Sequence, residues 1–313
     1  MKSRWQPHAT LLLIACLFGL VPVACQRAAD TPAATSATPS VPANVSSRPV
    51  PDGSPNTTPT ATLPFIPQVM AAGAVVPEPQ DSDWLNQPFA EATAAEPPPN
   101  ALPPLRTLAG KSVGKIATEV QSLWPQIRFQ AATASSERPQ VLLHTAQGPI
   151  RIELWTDVAP NHCRSFLALV QAGYYDGLRF EARLGDPNLP GTARAVSAGS
   201  PEGDAQPLAS VGYWLRPEIL SDAEAERRQV RHVRGLVGAV RAFDQPDSAS
   251  CQFYVCLEAL PERDGQYTLF GRVVTGLEAL DALHDQPLIA AGAPPWLFQT
   301  PLVITRAESL RRN

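Results

Sequence analysis

The chain has 313 residues, a formal net charge of −4 and 34 prolines, most of which precede residue 105. This uneven distribution argues for one folded domain behind a proline-rich tail rather than for two domains. No basic run is long enough to form an electrostatic footprint, so we expect no nucleic-acid partner. The five cysteines form no C-x-x-C pair and no cluster with histidine, so we expect no metal site, no redox motif and no cofactor.

Residues 1–25 have the features of a secretory signal. Lys2 and Arg4 precede an apolar run that is too short for a comfortable membrane-spanning helix. The run ends in Val-Pro-Val-Ala-Cys, which resembles a bacterial lipobox, and this resemblance implies that Cys25 carries a lipid. Lipidation at Cys16, simple cleavage and an uncleaved anchor are the alternatives. In each case the sequence predicts export, and a lipid would anchor the chain to a membrane facing the periplasm or the cell exterior.

The segment 26–104 consists mainly of Ala, Thr, Ser and Pro with few aromatic residues. Such a composition buries too little apolar surface to offset chain entropy, so it predicts a disordered linker. In residues 105–138 the prolines thin out, and apolar residues from Val113 to Trp124 recur at helical spacing. We expect one short amphipathic helix that ends near Pro125 and packs on the domain as an extension, with a partner-binding helix as the alternative.

The remaining residues, 139–313, alternate between strand-like and helix-like patterns. Pro160 can begin a helix because its missing N–H would be unpaired there, and Gly173 ends that helix. A charged insert at 222–231 reads as a surface loop or short helix. The predicted strands cover 140–144, 150–154, 178–184, 195–199 and 302–305, and a second helix covers 275–283.

A stretch near the end of the domain, Ser248–Cys256, alternates polar and apolar residues around Gln252, as a strand with one open face does. Together with 234–241 and 264–274 it resembles the second half of a cyclophilin, and the first half is matched at 148–155, 159–160, 166 and 173–177. The resemblance covers roughly residues 139–310. It implies a mostly β, monomeric domain, built as a closed eight-stranded antiparallel barrel that two helices cap. The core residues expected from the pattern are Ile152, Leu154, Phe166, Phe180, Val237, Phe253, Val255, Phe270 and Val273.

Cyclophilins accelerate rotation about the X–Pro peptide bond, whose intrinsic barrier is about 18–20 kcal/mol. In the family, a strand that reads F-H-R supplies an arginine that favours the twisted amide. This chain reads Phe180-Glu181-Ala182, so alanine stands where the arginine is expected, and Arg183 comes one place late. A one-residue slip turns a side chain to the opposite face, so Arg183 can substitute only if a bulge re-aims it. Arg194 is the second tentative substitute.

Other positions of the family's site are altered as well. Ser197 replaces a glutamine, Glu262 and Arg263 stand in place of Trp-Leu, and Tyr267 replaces a histidine. The resemblance implies a set of substrate-binding residues that this chain keeps or replaces conservatively. These residues are Gln252, Tyr254, Tyr267, Phe180 and Val240.

Two functions follow from this comparison. One is an exported peptidyl-prolyl cis-trans isomerase of weak activity that acts on unfolded envelope proteins. The other is a catalytically silent module that binds proline-containing peptides or serves as a scaffold. An arginine within hydrogen-bond reach of Gln252 would favour the first function, and an open groove without arginine would favour the second.

Overall fold

The computed structural model describes residues 84–101, 103–130, 138–189, 191–289 and 294–310. All of them belong to one compact unit, Glu78–Asn313. The predicted signal with Cys16 and Cys25, and most of the predicted linker, lie outside the described residues. Within the described ranges, no helix combines the length and the apolar character needed to cross a membrane.

Eight antiparallel strands close into a barrel in the order β1-β2-β7-β5-β6-β4-β3-β8, which confirms the predicted fold class. The strands are β1 (Gln140–Thr145), β2 (Ile150–Leu154), β3 (Arg179–Leu184), β4 (Ala195–Ala198), β5 (Leu236–Ala239), β6 (Phe253–Cys256), β7 (Leu269–Thr275) and β8 (Trp296–Leu310). The helices are α1 (Phe89–Ala92), α2 (Val113–Leu123), α3 (Pro160–Gln171), α4 (Asp222–Arg228) and α5 (Leu277–His284). The last strand is much longer than predicted, because it pairs with both β1 and β3 to close the barrel.

The barrel core consists of the inward-facing residues of the strands together with the apolar faces of α3 and α5. Phe166 of α3 lies with its ring centroid 5.3 Å from that of Phe253 and 5.4 Å from that of Phe270. Leu280 and Leu283 of α5 are buried as well. All the predicted core residues are buried except Val273, which is half-buried against the core.

The start of α3 is fixed by a distant carboxylate. Pro160 occupies the first turn, as predicted, and the backbone N–H groups of Asn161 and His162 donate to the two oxygens of Glu218, each over 2.9 Å. A carboxylate at this end of a helix satisfies unpaired donors and complements the helix dipole. Glu218 therefore attaches the long loop between β4 and β5 to the helix that closes one end of the barrel.

The N-terminal part of the described chain corrects the predicted linker boundary, because residues 84–101 contain α1 and contact the domain. The backbone N–H of Ala94 donates to the carbonyl of Trp214 over 2.8 Å, and that of Arg216 donates to the carbonyl of Ala92 over 3.0 Å. Helix α2 lies where it was predicted and packs on α3. We call residues 84–101 the N-terminal strap.

The strap is held by an arginine that is almost completely buried. Arg164 of α3 donates hydrogen bonds to the carbonyls of Leu85 and Gln87 and to the side chain of Asn86. Its guanidinium also lies 5.2 Å from the ring centroid of Trp124. Buried charges are tolerated when hydrogen bonds satisfy them. The strap therefore supplies partners that Arg164 needs in order to stay inside the protein.

Candidate functional site

Four residues form a continuous row across four strands of the barrel. Ala182 pairs with Ser197, Ser197 with Tyr254, and Tyr254 with Gly238. Residues that face each other across antiparallel strands share a face, and successive residues alternate between faces. Since Phe180, Ala198 and Phe253 form the adjacent row inside the barrel, these four residues point outward, and we call them the outer row. This row contains the position where the family's arginine is expected, and alanine occupies it.

Tyr254 is held over Gly238 on the neighbouring strand. A Cβ atom at Gly238 would overlap Cζ and Oη of Tyr254, so this approach requires glycine. The Tyr254 hydroxyl lies 2.9 Å from Nε2 of His232, and Nδ1 of His232 lies 2.7 Å from Oδ1 of Asp264. Since a carboxylate only accepts, Nδ1 of the neutral ring carries the proton and Nε2 accepts from the tyrosine. Burial lowers the pKa of His232, which favours this neutral form.

An arginine lies over this tyrosine. The Cζ atom of Arg263 is 4.9 Å from the ring centroid of Tyr254 and 4.8 Å from that of Tyr267, and the two rings are nearly perpendicular to each other. On Tyr267, Cζ of Arg241 lies 4.3 Å from the ring centroid. Guanidinium groups at such distances are attracted by the ring quadrupole. The outer row therefore has a cationic, aromatic end at Tyr254, where the family pattern has Trp-Leu.

Gln252 directly precedes β6 and lies two residues before Tyr254. Its side-chain amide donates to the carbonyl of Gln206 over 2.7 Å and to that of Ala209 over 3.2 Å. In the part of the chain that the structure describes, its Oε1 is buried without a hydrogen-bond partner. The family resemblance implies that the Gln252 amide binds a peptide, but here it donates to the loop that contains Gln206 and Ala209.

The structure does not bring the two candidate substitute arginines to this place. Arg183 pairs with Val196, which pairs with Val255, and both valines are completely buried in the barrel interior. The bulge in β3 lies before Ala182, so it does not turn Arg183 outward. Arg194 contacts Asp285 at 3.5 Å. Burial and the Arg194 charge lower the pKa of Arg183. The Gln252 amide donates to the carbonyls of Gln206 and Ala209, and neither arginine is among its recorded partners.

Phe180 and Val240 complete the expected substrate-binding set, in which Tyr254 is completely buried and Tyr267 is half-buried. Phe180 is completely buried, and its ring centroid lies 5.8 Å from that of Phe253, so it is a core residue rather than part of a groove. Val240 is half-buried against the core, and its backbone N–H donates to the carbonyl of Gln252 over 3.0 Å. Val240 therefore lies next to Gln252, as a binding residue would, whereas Phe180 is not accessible to a peptide.

A buried carboxyl occupies the bulge next to Ala182. Oε1 of Glu181 accepts from the backbone N–H of Ser200 over 3.3 Å, while Oε2 has no partner among the described residues. Burial raises the pKa of Glu181 from its ordinary 4.5 to about 8, against the opposing effect of that backbone N–H. The carboxyl is therefore largely protonated at neutral pH and can donate as well as accept a hydrogen bond.

The described ranges contain neither a metal-binding cluster nor a cysteine suited to nucleophilic chemistry. No group of three His, Cys, Asp or Glu residues there could hold a metal ion. Cys163, Cys251 and Cys256 are buried free thiols. Burial raises the pKa of Cys251 and of Cys256 to about 12, so neither forms the thiolate that nucleophilic chemistry needs.

The closed antiparallel barrel with two capping helices defines the class of protein. The family model described as "Cyclophilin type peptidyl-prolyl cis-trans isomerase/CLD" matches residues 140–306, which is more than half of the chain. The chain therefore belongs to the cyclophilin family and contains a cyclophilin-type peptidyl-prolyl cis-trans isomerase domain.

Curated relatives agree with this assignment. The chain is 34% identical over 148 residues to the mouse "Peptidyl-prolyl cis-trans isomerase-like 3", an alignment that covers 47% of this chain and 83% of the relative. It is 31% identical over 156 residues to a "Probable peptidyl-prolyl cis-trans isomerase" of Brucella suis, covering 49% and 76% respectively. Among solved structures, a cyclophilin-type isomerase of Cryptosporidium parvum has a TM-score of 0.47 at 21% identity, covering 56% of this chain and 99% of that one.

Sequence reasoning missed the side chains that surround Tyr254. Arg263 was noted only as a departure from the family's Trp-Leu, and His232 was not singled out. Asp264 was noted only as the first residue of the matched segment 264–274. Their roles depend on the approach of the segments around 232 and 264 to β6, which are separated in sequence. One feature of the sequence could have indicated this cluster: Arg263, Tyr254 and Tyr267 all depart from the family pattern, and an arginine commonly packs on tyrosine rings.

Proposed function

We propose that this chain is an exported, membrane-tethered member of the cyclophilin family that binds extended proline-containing peptides and isomerises X–Pro bonds only weakly. The single observation that supports weak activity is the outer row, in which Ala182 lies beside Ser197 and Tyr254. An arginine there would be a preorganised donor for the twisted amide. Removing such a donor typically lowers a rate by ~10²–10³.

The groove-side residues support peptide binding. Tyr267 is half-buried and provides aromatic surface, Tyr254 is completely buried beneath this end of the outer row, and Val240 lies next to the Gln252 backbone. Slow X–Pro bonds in unfolded envelope proteins, which take tens to hundreds of seconds to rotate unaided, are the substrates that fit an exported isomerase. Export and tethering themselves rest on the signal sequence and Cys25.

A coupled proline-isomerisation assay on the full chain tests the proposal, with Arg183→Ala, Arg194→Ala and Ala182→Arg beside the wild type. We expect a wild-type kcat/KM about 10²–10³ below that of a cyclophilin that keeps the arginine. We expect no effect from either alanine change and a gain from Ala182→Arg. Because Ala182 is buried, thermal unfolding of Ala182→Arg must be measured in parallel. Strong wild-type turnover that either alanine change abolishes would overturn the weak-activity reading.

A second function, a silent peptide-binding or scaffold module, is favoured by one specific observation. The Gln252 amide is already bonded to the carbonyls of Gln206 and Ala209. Titration of the full chain with a proline-containing peptide, followed by NMR, measures binding independently of turnover. Binding without turnover identifies the silent module, and no binding with no turnover would overturn both.

A further inference from the structure

Arg263 lies at the aromatic end of the outer row, where its guanidinium also interacts with the Tyr254 hydroxyl. Arg263 is half-buried, and its guanidinium lies against the rings of Tyr254 and Tyr267. No carboxylate among the residues that the structure describes forms an ion pair with it. An arginine backed by two aromatic rings is partly desolvated and restricted in its rotamers, so it loses less entropy when it binds a ligand.

The neighbouring charges are already committed. Arg241, on Tyr267, donates to the carbonyls of Ala242, Phe243 and Gln266. The Asp264 carboxylate accepts from the backbone N–H and Nδ1 of His232, each over 2.7 Å, and also lies 3.8 Å from Arg231. The recorded ion-pair partners of Asp264 are therefore Arg231 and His232 rather than its sequence neighbour Arg263.

Arg263 is also fixed in place from below. It lies on Tyr254, which Gly238 admits and which the hydrogen bond to His232 orients. Tyr254 is two strands away from Ala182, which corresponds to roughly 10 Å across the sheet. A peptide in an extended conformation advances about 3.3 Å per residue, so a residue within two or three positions of a proline near Ala182 reaches Arg263.

We propose that Arg263 is a specificity-determining residue that binds a carboxylate of the proline-containing peptide. A planar guanidinium presents parallel N–H donors that match a carboxylate. The carboxylate belongs to an acidic side chain next to the proline or to the free C-terminus of the peptide. This inference rests on the proposed peptide-binding function and names the class of peptide that the site prefers.

The test is a titration of the full chain with blocked, fluorescently labelled peptides Ala-X-Pro-X-Ala, in which X is glutamate, glutamine or lysine. A fourth peptide has X as glutamine and a free C-terminus. We expect the glutamate peptide to bind the wild type about tenfold more tightly than the glutamine peptide, as one charge-assisted contact gives. The lysine peptide should bind more weakly still. The fourth peptide shows whether a C-terminal carboxylate serves equally well. The preference should decline at high salt.

Variants test whether the preference for the glutamate peptide depends on the Arg263 side chain. Arg263→Leu should reduce the glutamate-to-glutamine ratio to about one, and Arg263→Lys should keep part of it, because lysine retains the charge but not the planar fork. Arg306→Leu is the matched control, since Arg306 is an exposed arginine of β8 paired with Glu308, and its ratio should stay at the wild-type value. Circular dichroism confirms that each variant is folded.

The outcomes separate the two proposals. Equal wild-type binding of the glutamate and glutamine peptides would overturn the carboxylate preference and leave the proposed function standing. A preference that persists in Arg263→Leu would equally overturn the role of this residue. Absence of binding by every peptide would overturn the proposed function together with the inference.

Discussion

Glu181 makes the stability of the domain depend on pH in a direction unusual for a carboxyl. Its folded pKa is raised to about 8 by burial, so between about pH 4.5 and 8 the folded state holds a proton that the unfolded state has released. Stability therefore falls as pH rises through this window, by up to about 1.4 kcal/mol per pH unit. We expect denaturant unfolding of Glu181→Gln to show a flatter pH profile from pH 5 to 8.

The control for this prediction is Glu226→Gln, since Glu226 is exposed on α4. That variant should keep the wild-type slope. Parallel profiles for Glu181→Gln and the wild type would show that Glu181 titrates normally in the folded protein.

Gly238 and Gly114 provide a matched pair of glycine substitutions. A Cβ at Gly238 overlaps the Tyr254 ring, whereas a Cβ at Gly114, exposed in the first turn of α2, meets nothing within 4 Å. We expect Gly238→Ala to destabilise the domain by about 1–3 kcal/mol through overpacking. Gly114→Ala should stabilise it by roughly 0.5 kcal/mol through helix propensity. Chemical denaturation measures both, and equal effects would contradict the close approach at Gly238.

The N-terminal strap is an element on which the barrel depends, because its backbone satisfies Arg164. Burial lowers the pKa of Arg164 to about 10, so the side chain remains charged at neutral pH. Without the strap the charge would lose the carbonyls of Leu85 and Gln87. Removing the partner of a buried charge typically costs about 3–5 kcal/mol. We expect a chain that begins at residue 96 to be destabilised by this amount relative to one that begins at residue 84.

A second substitution distinguishes the charge from general loss of packing. Arg164→Met in the chain that begins at residue 96 should restore part of the lost stability, because no buried charge remains unsatisfied. The same substitution in the chain that begins at residue 84 should be destabilising, because two strap carbonyls lose their donor. Identical effects in both backgrounds would contradict a specific role of Arg164 in holding the strap.

Over the full chain, the proposed tether depends on one cysteine of the signal region. Cys25→Ser should move the expressed protein from the membrane fraction to the soluble fraction, because a single lipid-bearing cysteine provides the anchor. Cys16→Ser is the control and should leave the distribution unchanged. Membrane association that survives Cys25→Ser but not Cys16→Ser would reassign the lipidation site, and survival in both would contradict lipidation.

Local sequence pattern was sufficient to predict most of the barrel strands, the start of α3 at Pro160 and helix α2, while the segments of β5 and β7 were identified by the family resemblance. These elements depend on side-chain alternation, helical spacing and the special backbone of Pro and Gly, all of which act between close neighbours in sequence. The loss of arginine at Ala182 was also visible in the sequence, because the resemblance to the family's F-H-R motif places alanine at the arginine position.

Contacts between distant residues determined the rest. The composition of residues 84–101 predicts disorder, yet Arg164, about 80 residues away in the chain, holds them against α3. The face of the sheet on which Arg183 lies depends on the position of the bulge in β3, and the pairing of β3 with β4 sets that position. Arg263 acquires its environment only where the segments around His232 and Asp264 meet Tyr254. Amino-acid composition and hydrophobic periodicity describe a single segment of the chain. Burial and charge pairing depend on which distant segments come into contact.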